Sequence, residues 1–507
     1  GAEMRGLTSL LLLLAVHSGI GAICLPSPTL RAVPALPMVR QHARKTVCKL
    51  EMKAKVKPGP AESLAVTPAS GVAPWLTASL PVLTLCCTIA AVCSLDRVVM
   101  SVTILPMGEQ YGYTDSTRGL IASAFSFGYF LGLGPAGLAS SASSPKVVLG
   151  AGLVLWSIAQ AATPAAADIG LTPLLAARAL MGLGEAAAIP SLQVIAANFV
   201  PASSRSKFWG VLTASLSMGT IAAYSITPPM VANLGWPAAF EIFGAAGLAV
   251  ALLWAGLGAG SPADLPGYPS GTGPRATASR GGARVDAAGK QGLEGRAALD
   301  DVPWGEMASS RPVWALCAAH ASSNFFLYFA LSWLPTYFAY QFGLSTADAA
   351  SAAQLPFAAA AVASLCAGAA CDALVDREVL RLTTARKLMQ GIACLGPAAC
   401  VLALAAGGAP SRDAAEDIFI CALFCQACSS AGFGCAAQDI SQRYAALLYG
   451  ATSAVAVISG AFGQYFTGAI LDATGRDFTY IFALTAVVEV LGFFAFMAWW
   501  NSDRAFE

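Results

Sequence analysis

The chain has 507 residues, of which 56% are hydrophobic and 11% charged, with a formal net charge of +1. Soluble domains carry roughly 25% charged residues, so this composition excludes an ordinary soluble globular protein and points to an integral membrane protein. The near-neutral balance gives no basis for a nucleic-acid partner, and the fourteen cysteines fall mostly inside apolar runs, where they read as small buried residues rather than a disulfide framework.

In chain order, the first segment is a leader. From Met4, "MRGLTSLLLLLAVHSGIGA" has a basic start, an apolar stretch and a small-residue end, which is the pattern of a secretory signal. Residues 25–60 follow with Arg31, Arg40, Arg44, Lys45, Lys49, Lys53, Lys55 and Lys57 against Glu51. A basic, acid-poor segment of this kind reads as an organelle transit peptide. A signal followed by a transit peptide resembles the bipartite leader of algae with secondary plastids, so residues 1–70 are expected to be an address that is disordered or removed. The competing reading is a signal anchor with a basic arm.

After Pro74, apolar runs of helix-spanning length recur. They lie near 76–105, 116–139, 146–166, 172–198, 207–231 and 237–257, then near 312–340, 349–374, 387–407, 415–438, 445–471 and 479–500. Each can cross roughly 30 Å of hydrocarbon as a helix. The expected fold is therefore an all-α membrane protein of twelve transmembrane helices in two six-helix repeats, 71–257 and 312–507. Between them, residues 258–311 are rich in Gly, Pro and Ala and cannot bury a core. They are expected to form a disordered inner linker, with "DVPWGEM" as a short helix at the membrane surface. Six spans, a polar loop and six spans is the parallel-repeat layout of major facilitator transporters.

Charge sets the expected orientation. With both termini on one side, the loops of that side hold Lys146, Arg205, Lys207, Arg377, Arg381, Arg386, Lys387 and Arg443. The opposite loops hold Arg118, Arg412 and Arg476. The termini and the central loop are thus expected on the cytosol-like side, which is the stroma for a plastid protein. Trp75, Trp236, Trp254, Trp314, Trp499 and Trp500 fall near span ends, where interfacial anchors are expected.

Charges inside apolar runs need a reason, because each costs at least about 2.5–3.5 kcal/mol at the bilayer centre. Span 1 carries Asp96 and Arg97, and span 4 carries Arg178 and Glu185 in "ARALMGLGEAAAIP". Arg178, Gly182 and Glu185 share one helix face, and Gly182 and Gly184 leave room there for a helix, a ligand or a water. Two charges about two turns apart do not pair directly, so Arg97 is the expected partner across the bundle. Arginine suits an anion, because its fork donates two parallel hydrogen bonds to phosphate or carboxylate. Arg97 and Arg178 are therefore substrate-binding candidates, with Tyr129, Ser323 and Asn324 beside them, and Glu185 is the coupling candidate. The alternative is that Arg97 is neutralised by Asp96 or Glu185 as a structural pair. Asp372, Arg386, Asp439 and Arg443 lie at inner span ends and are expected to form gate or hinge ion pairs. His320 reads as a packed histidine. Cys421, Cys425, Cys428 and Cys435 read as a helix seam, with no metal site expected. No P-loop, GxSxG or zinc spacing is present, so no enzyme activity is expected.

Several stretches resemble one family. "LDRVVMSVTILPMGEQYGYTDSTRGLIASAFSFGYFLG", "RALMGLGEAAAIPS", "LTTARKLMQGIACLGP" and "QDISQRYAALLYG" are similar to the anion:cation symporters of the major facilitator superfamily, closest to the plastid phosphate-transporter branch. The resemblance runs from about 90 to 495. It implies that Arg97 is the family's span-1 substrate arginine, and that Arg178 and Glu185 are its span-4 pair, the latter tied to proton coupling or gating. It also has departures. Ser141 stands where the family has Asp, Ser323 where relatives have a basic residue, and Ala436 and Ala437 where they have polar ones. The expected function is secondary active transport of an inorganic or small organic anion by alternating access, with phosphate first and ascorbate- or glutamate-like anions next. Na⁺ or H⁺ is the expected co-transported ion, with no other cofactor, and a monomer in the lipid bilayer is expected, in a plastid inner envelope. The competing class is a non-transporting sensor or partner-binding member of the same fold.

Overall fold

The computed structural model describes residues 74–200, 205–265, 302–441, 444–503 and 506. The leader, most of the central linker and Arg443 lie outside these residues. Fifteen α-helices run through the described chain. The first group is α1 (Pro74–Tyr111), α2 (Asp115–Ala142), α3 (Pro145–Ile169), α4 (Leu171–Glu185), α5 (Ala188–Phe199), α6 (Arg205–Leu234) and α7 (Trp236–Leu257). The short α8 (Trp304–Ser309) leads into α9 (Arg311–Phe342), α10 (Thr346–Asp376), α11 (Leu382–Gly407), α12 (Arg412–Ala427), α13 (Phe433–Ile440), α14 (Ala445–Thr474) and α15 (Thr479–Trp499). Ten segments, with α4–α5 and α12–α13 each counted as one, are long and apolar enough to cross a membrane. The 30-residue α6 and the 32-residue α9 also have the length, which gives the all-helical, twelve-span architecture.

Local sequence explains where helices start and stop. The Thr114 side chain accepts from the Thr117 N–H at the start of α2, and Ser345 and Ser411 cap α10 and α12 in the same way. Side-chain oxygens here satisfy backbone donors that a helix end otherwise leaves free. Gly343 and Gly475, both left-handed, end α9 and α14, a conformation glycine adopts without steric cost.

Two expected spans are broken rather than continuous. The fourth divides between Glu185 and Ala188. Pro190 lacks the N–H that would bond the Ala186 carbonyl and its ring crowds that oxygen, so the helix turns at Ala186–Ala187. The tenth divides after Ala427, through a 3₁₀ turn at Cys428–Ser430 to α13. Three of the span-end tryptophans also depart from the interfacial role. Trp236, Trp254 and Trp500 are buried: Trp236 donates to Gln110 at 2.7 Å, Trp254 to the Lys146 carbonyl at 2.9 Å, and Trp500 stacks on Phe496. The indole N–H groups of Trp236 and Trp254 find partners inside the protein, as buried tryptophans usually do, that of Trp500 has none, and Trp314 and Trp499 are exposed.

Within each group the helices pack as a bundle, and between groups α2 meets α14, α6 meets α10 and α1 meets α9. At two glycines between α2 and α14 the contact is with backbone. A Cβ on Gly119 would lie 2.8 Å from the Gln464 carbonyl, and one on Gly468 would strike the Asp115 carbonyl. Val98 and Val102 of α1 and Tyr224 of α6 join the aromatic core of the second half, which includes Phe326, Trp333, Phe338, Phe419 and Phe482. This seam carries the central site.

Candidate functional site

A cavity of ≈ 30 Å³ lies between the halves, enough for about two waters. The first half lines it with Arg97, Met100, Ser101, Ile104, Arg118, Ala122, Phe125, Ser126 and Arg178. The second half contributes Tyr328, Leu331, Ser332, Trp333, Thr336 and Gln464. All three arginines come from the first half. The second half offers hydroxyls, an amide and aromatic surface.

Arg97 Nη2 lies 2.6 Å from Glu185 Oε1. The same oxygen accepts from the Cys93 thiol at 2.8 Å. Glu185 is fully buried and its other oxygen, Oε2, has no hydrogen-bond partner. Arg97 keeps a quarter of its side chain exposed and stands over the rings of Phe125 and Tyr129, at 5.1 and 5.2 Å. These faces attract a cation while leaving its N–H edge free. Arg97 Nε has no partner, so both members of this pair retain unused hydrogen-bonding capacity.

Asp96 takes no part in the pair. It is fully buried on the other side of α1, where Trp156 Nε1 donates to its Oδ2 at 3.2 Å and Gln160 Nε2 to its Oδ1 at 3.4 Å. Arg97 is therefore matched by Glu185 and not by its neighbour in sequence.

Arg178 is 2% exposed and sits over the Phe125 ring at 5.4 Å. It pairs with no carboxylate among the described residues, and its Nε has no partner. The space at Gly182 and Gly184 is taken by helices. A Cβ on Gly182 would strike the Phe125 carbonyl of α2, and one on Gly184 would lie 2.8 Å from Trp156 N of α3. The glycines bring α2 and α3 against α4, as small residues do between membrane helices.

The other expected site residues fall outside the cavity lining. Tyr129 contacts Arg97 by its ring alone. Ser323 is buried with an unpartnered hydroxyl, and Asn324 is half-buried on the same helix. His320 accepts or donates at 3.2 Å with Thr452 and packs on Phe433 and Tyr449. At the expected inner end, Arg386 Nε and Nη2 bind Asp439 at 2.8 and 3.3 Å, and Nη1 donates to the Ala431 carbonyl at 2.9 Å. This ties α11 to α13 within the second half. Asp372 is exposed and makes no ion pair among the described residues.

Two groups escaped the sequence reading. Glu489 of α15 is fully buried, and neither carboxylate oxygen has a hydrogen-bond partner. Ser322 and Cys394 lie beside it without hydrogen-bond geometry. The rule that singled out Glu185, a charge inside an apolar run, applies equally to "TAVVEVLGFF". Arg118, assigned to an outer loop, lines the cavity instead.

Comparison with known proteins gives this site its context. The family model described as Major Facilitator Superfamily matches residues 86–453. A probable chloroplastic anion transporter 1 of Oryza sativa subsp. japonica is 33% identical over 80% of this chain and 74% of its own. A chloroplastic ascorbate transporter of Arabidopsis thaliana is 33% identical, over 78% and 70%. A chloroplastic sodium-dependent phosphate transport protein 1 of Arabidopsis thaliana is 31% identical, over 81% and 78%. Among solved structures, an inward-facing, unoccupied bacterial homologue of the human lysosomal transporter Spinster superposes with a TM-score of 0.64 at 18% identity, covering 86% of this chain and all of that one. The xylose transporter XylE from E. coli gives 0.60 at 15% identity, over 82% and 97%. At these identities the structures establish the fold alone.

Proposed function

The chain belongs to the Major Facilitator Superfamily, a family of transporters and not of enzymes, and on that premise we propose that it carries a small anion across a plastid envelope membrane. Phosphate is the first candidate, and ascorbate- or glutamate-like anions follow. The observation that carries this reading is the Arg97–Glu185 pair at the cavity, with Arg178 beside it unmatched by any described carboxylate.

The chemistry follows from charge. An anion entering the seam loses water, and fixed donors must replace it. Arg97 can turn its fork from Glu185 to the substrate while its guanidinium stays over Phe125 and Tyr129. Glu185 is then left buried without its cation, which is strongly unfavourable, so it takes up H⁺ or a Na⁺ contact. Binding of anion and cation are thereby linked, and the two halves rock around the loaded site. That rocking gives the anion its way into and out of the cavity. Arg386 with Asp439 braces the expected inner end, and the charge distribution favours termini and linker on the stromal side.

Relatives named as chloroplastic transporters of anions, ascorbate and phosphate support both the substrate class and the organelle. The basic leader supports an alga with a secondary plastid. A second reading, a non-transporting sensor, draws on the second half, whose lining brings no charge to the cavity. Uptake of labelled phosphate into proteoliposomes under imposed Na⁺ or H⁺ gradients, with ascorbate and glutamate as competitors, tests the proposal. Absence of uptake for all three anions would favour the sensor. Fusion of residues 4–60 to a fluorescent protein tests location, and delivery to the cell surface would overturn the plastid assignment.

A further inference from the structure

We propose that Arg118 is a third anion-binding arginine of the path and the latch that closes one end of it. The proposal rests on the anion-transport reading above.

Arg118 lies in the first turn of α2, is 6% exposed and lines the same cavity as Arg97. Its seat is built. A Cβ on Gly108 of α1 would fall on the Arg118 guanidinium, so glycine at 108 leaves the space that the guanidinium fills. Its Nη1 contacts Asp115 Oδ1 at 3.3 Å and donates to the Tyr340 hydroxyl. Tyr340 belongs to α9, so this bond crosses from one half to the other. Arg118 Nε is buried without a partner.

Around it, cations outnumber the carboxylates free to meet them. Asp115 also accepts from Arg476 Nε at 3.1 Å and from the Tyr340 hydroxyl at 2.7 Å. Arg476 itself stands 4.1 Å from the Tyr340 ring centroid. Asp472, an acid of the same cluster, accepts the backbone N–H groups of Asp115 and Ser116 at 2.9 and 2.7 Å. One carboxylate, Asp115, therefore serves two guanidinium groups.

That imbalance suits an oxyanion. A phosphate or carboxylate moving from Arg97 toward this end can draw the Arg118 guanidinium away from Asp115, binding the free Nε together with Nη2 in the fork geometry. Asp115 keeps Arg476, while the bond from Arg118 to Tyr340 is given up. Because that bond joins the two halves, arrival of the anion and opening of this end become one event.

The test uses the full chain in nanodiscs and in proteoliposomes. Amide hydrogen exchange over 112–118 and 472–478 reads the latch. R118Q and Y340F should raise it by about tenfold, as local opening becomes cheaper. Phosphate should raise it in the wild type and not in R118K, which keeps the charge but loses the fork. In phosphate uptake R118K should raise KM by about tenfold, whereas Y340F, which spares the guanidinium and removes a bond the anion must otherwise break, should not raise it. Unchanged exchange in both R118Q and Y340F would overturn the latch. Unchanged KM in R118K, with the wild type active, would overturn the binding role. A wild type that takes up no tested anion would instead sink the reading beneath the proposal, and the exchange experiment would still decide the latch.

Discussion

Each half of this protein buries an acid deep among its helices, and the two acids are treated differently. Asp96 of the first half receives donors from Trp156 and Gln160. Glu489 of the second half receives none. An ionised carboxylate is tolerable in an apolar interior only when donors or a cation replace its water. The first half is built to hold charge: it supplies Arg97, Arg118, Arg178, Glu185 and Asp96, with partners arranged for most of them. The second half is built to present a neutral wall, aromatic and hydroxylated, against which the charged half works.

The comparison is broken or sharpened by substitutions in each half. The largest effect is expected at Arg97. Arg97→Lys should lower anion uptake by about a hundredfold, since the fork is lost while charge is kept. The double change Asp96→Asn with Arg97→Gln should not restore it, because Asp96 is matched by Trp156 and Gln160. Recovery of uptake in that double variant would make the arginine structural. Next is Glu185→Gln, which should abolish the dependence of uptake on the Na⁺ or H⁺ gradient while the protein still folds. An unaltered gradient dependence would place Glu185 in the scaffold.

Stability separates the two buried acids. Asp96→Ala leaves the Trp156 donor unmatched and Gln160 with only the residue-96 carbonyl, and should cost about 1–3 kcal/mol, read as a lower unfolding temperature in detergent. Glu489→Gln removes a carboxyl that has no donors to lose, so the unfolding temperature should hold or rise. A large drop in Glu489→Gln would reveal a hidden partner and erase the contrast between the halves. The smallest effect is expected at His320, where His320→Gln should leave the pH profile of uptake unchanged, because the ring is packed between Phe433 and Tyr449.

The two-repeat helical plan was legible in the sequence because hydrocarbon thickness imposes run length on every span. Arg97, Arg178 and Glu185 were legible because charge in an apolar run has few explanations. The break after Glu185 was written in Pro190 but was masked by an unbroken hydropathy signal. The tryptophan positions misled, because a span end in the sequence does not say whether the ring turns to lipid or to a neighbouring helix. Arg118 was hidden for a different reason. Its partner Tyr340 lies in the other half, and no local pattern reports a contact across the repeat.

The glycines at 119 and 468 carry a mechanical consequence. At these two points of the α2–α14 crossing, backbone meets backbone with no glycine side chain to enmesh. Interlocked side chains would act as teeth, holding the halves at discrete notches and resisting each passage between them. At Gly119 and Gly468 the track has no such detents. The resting position is then set by the polar contacts at its ends, and the machine idles until a charge moves one of them.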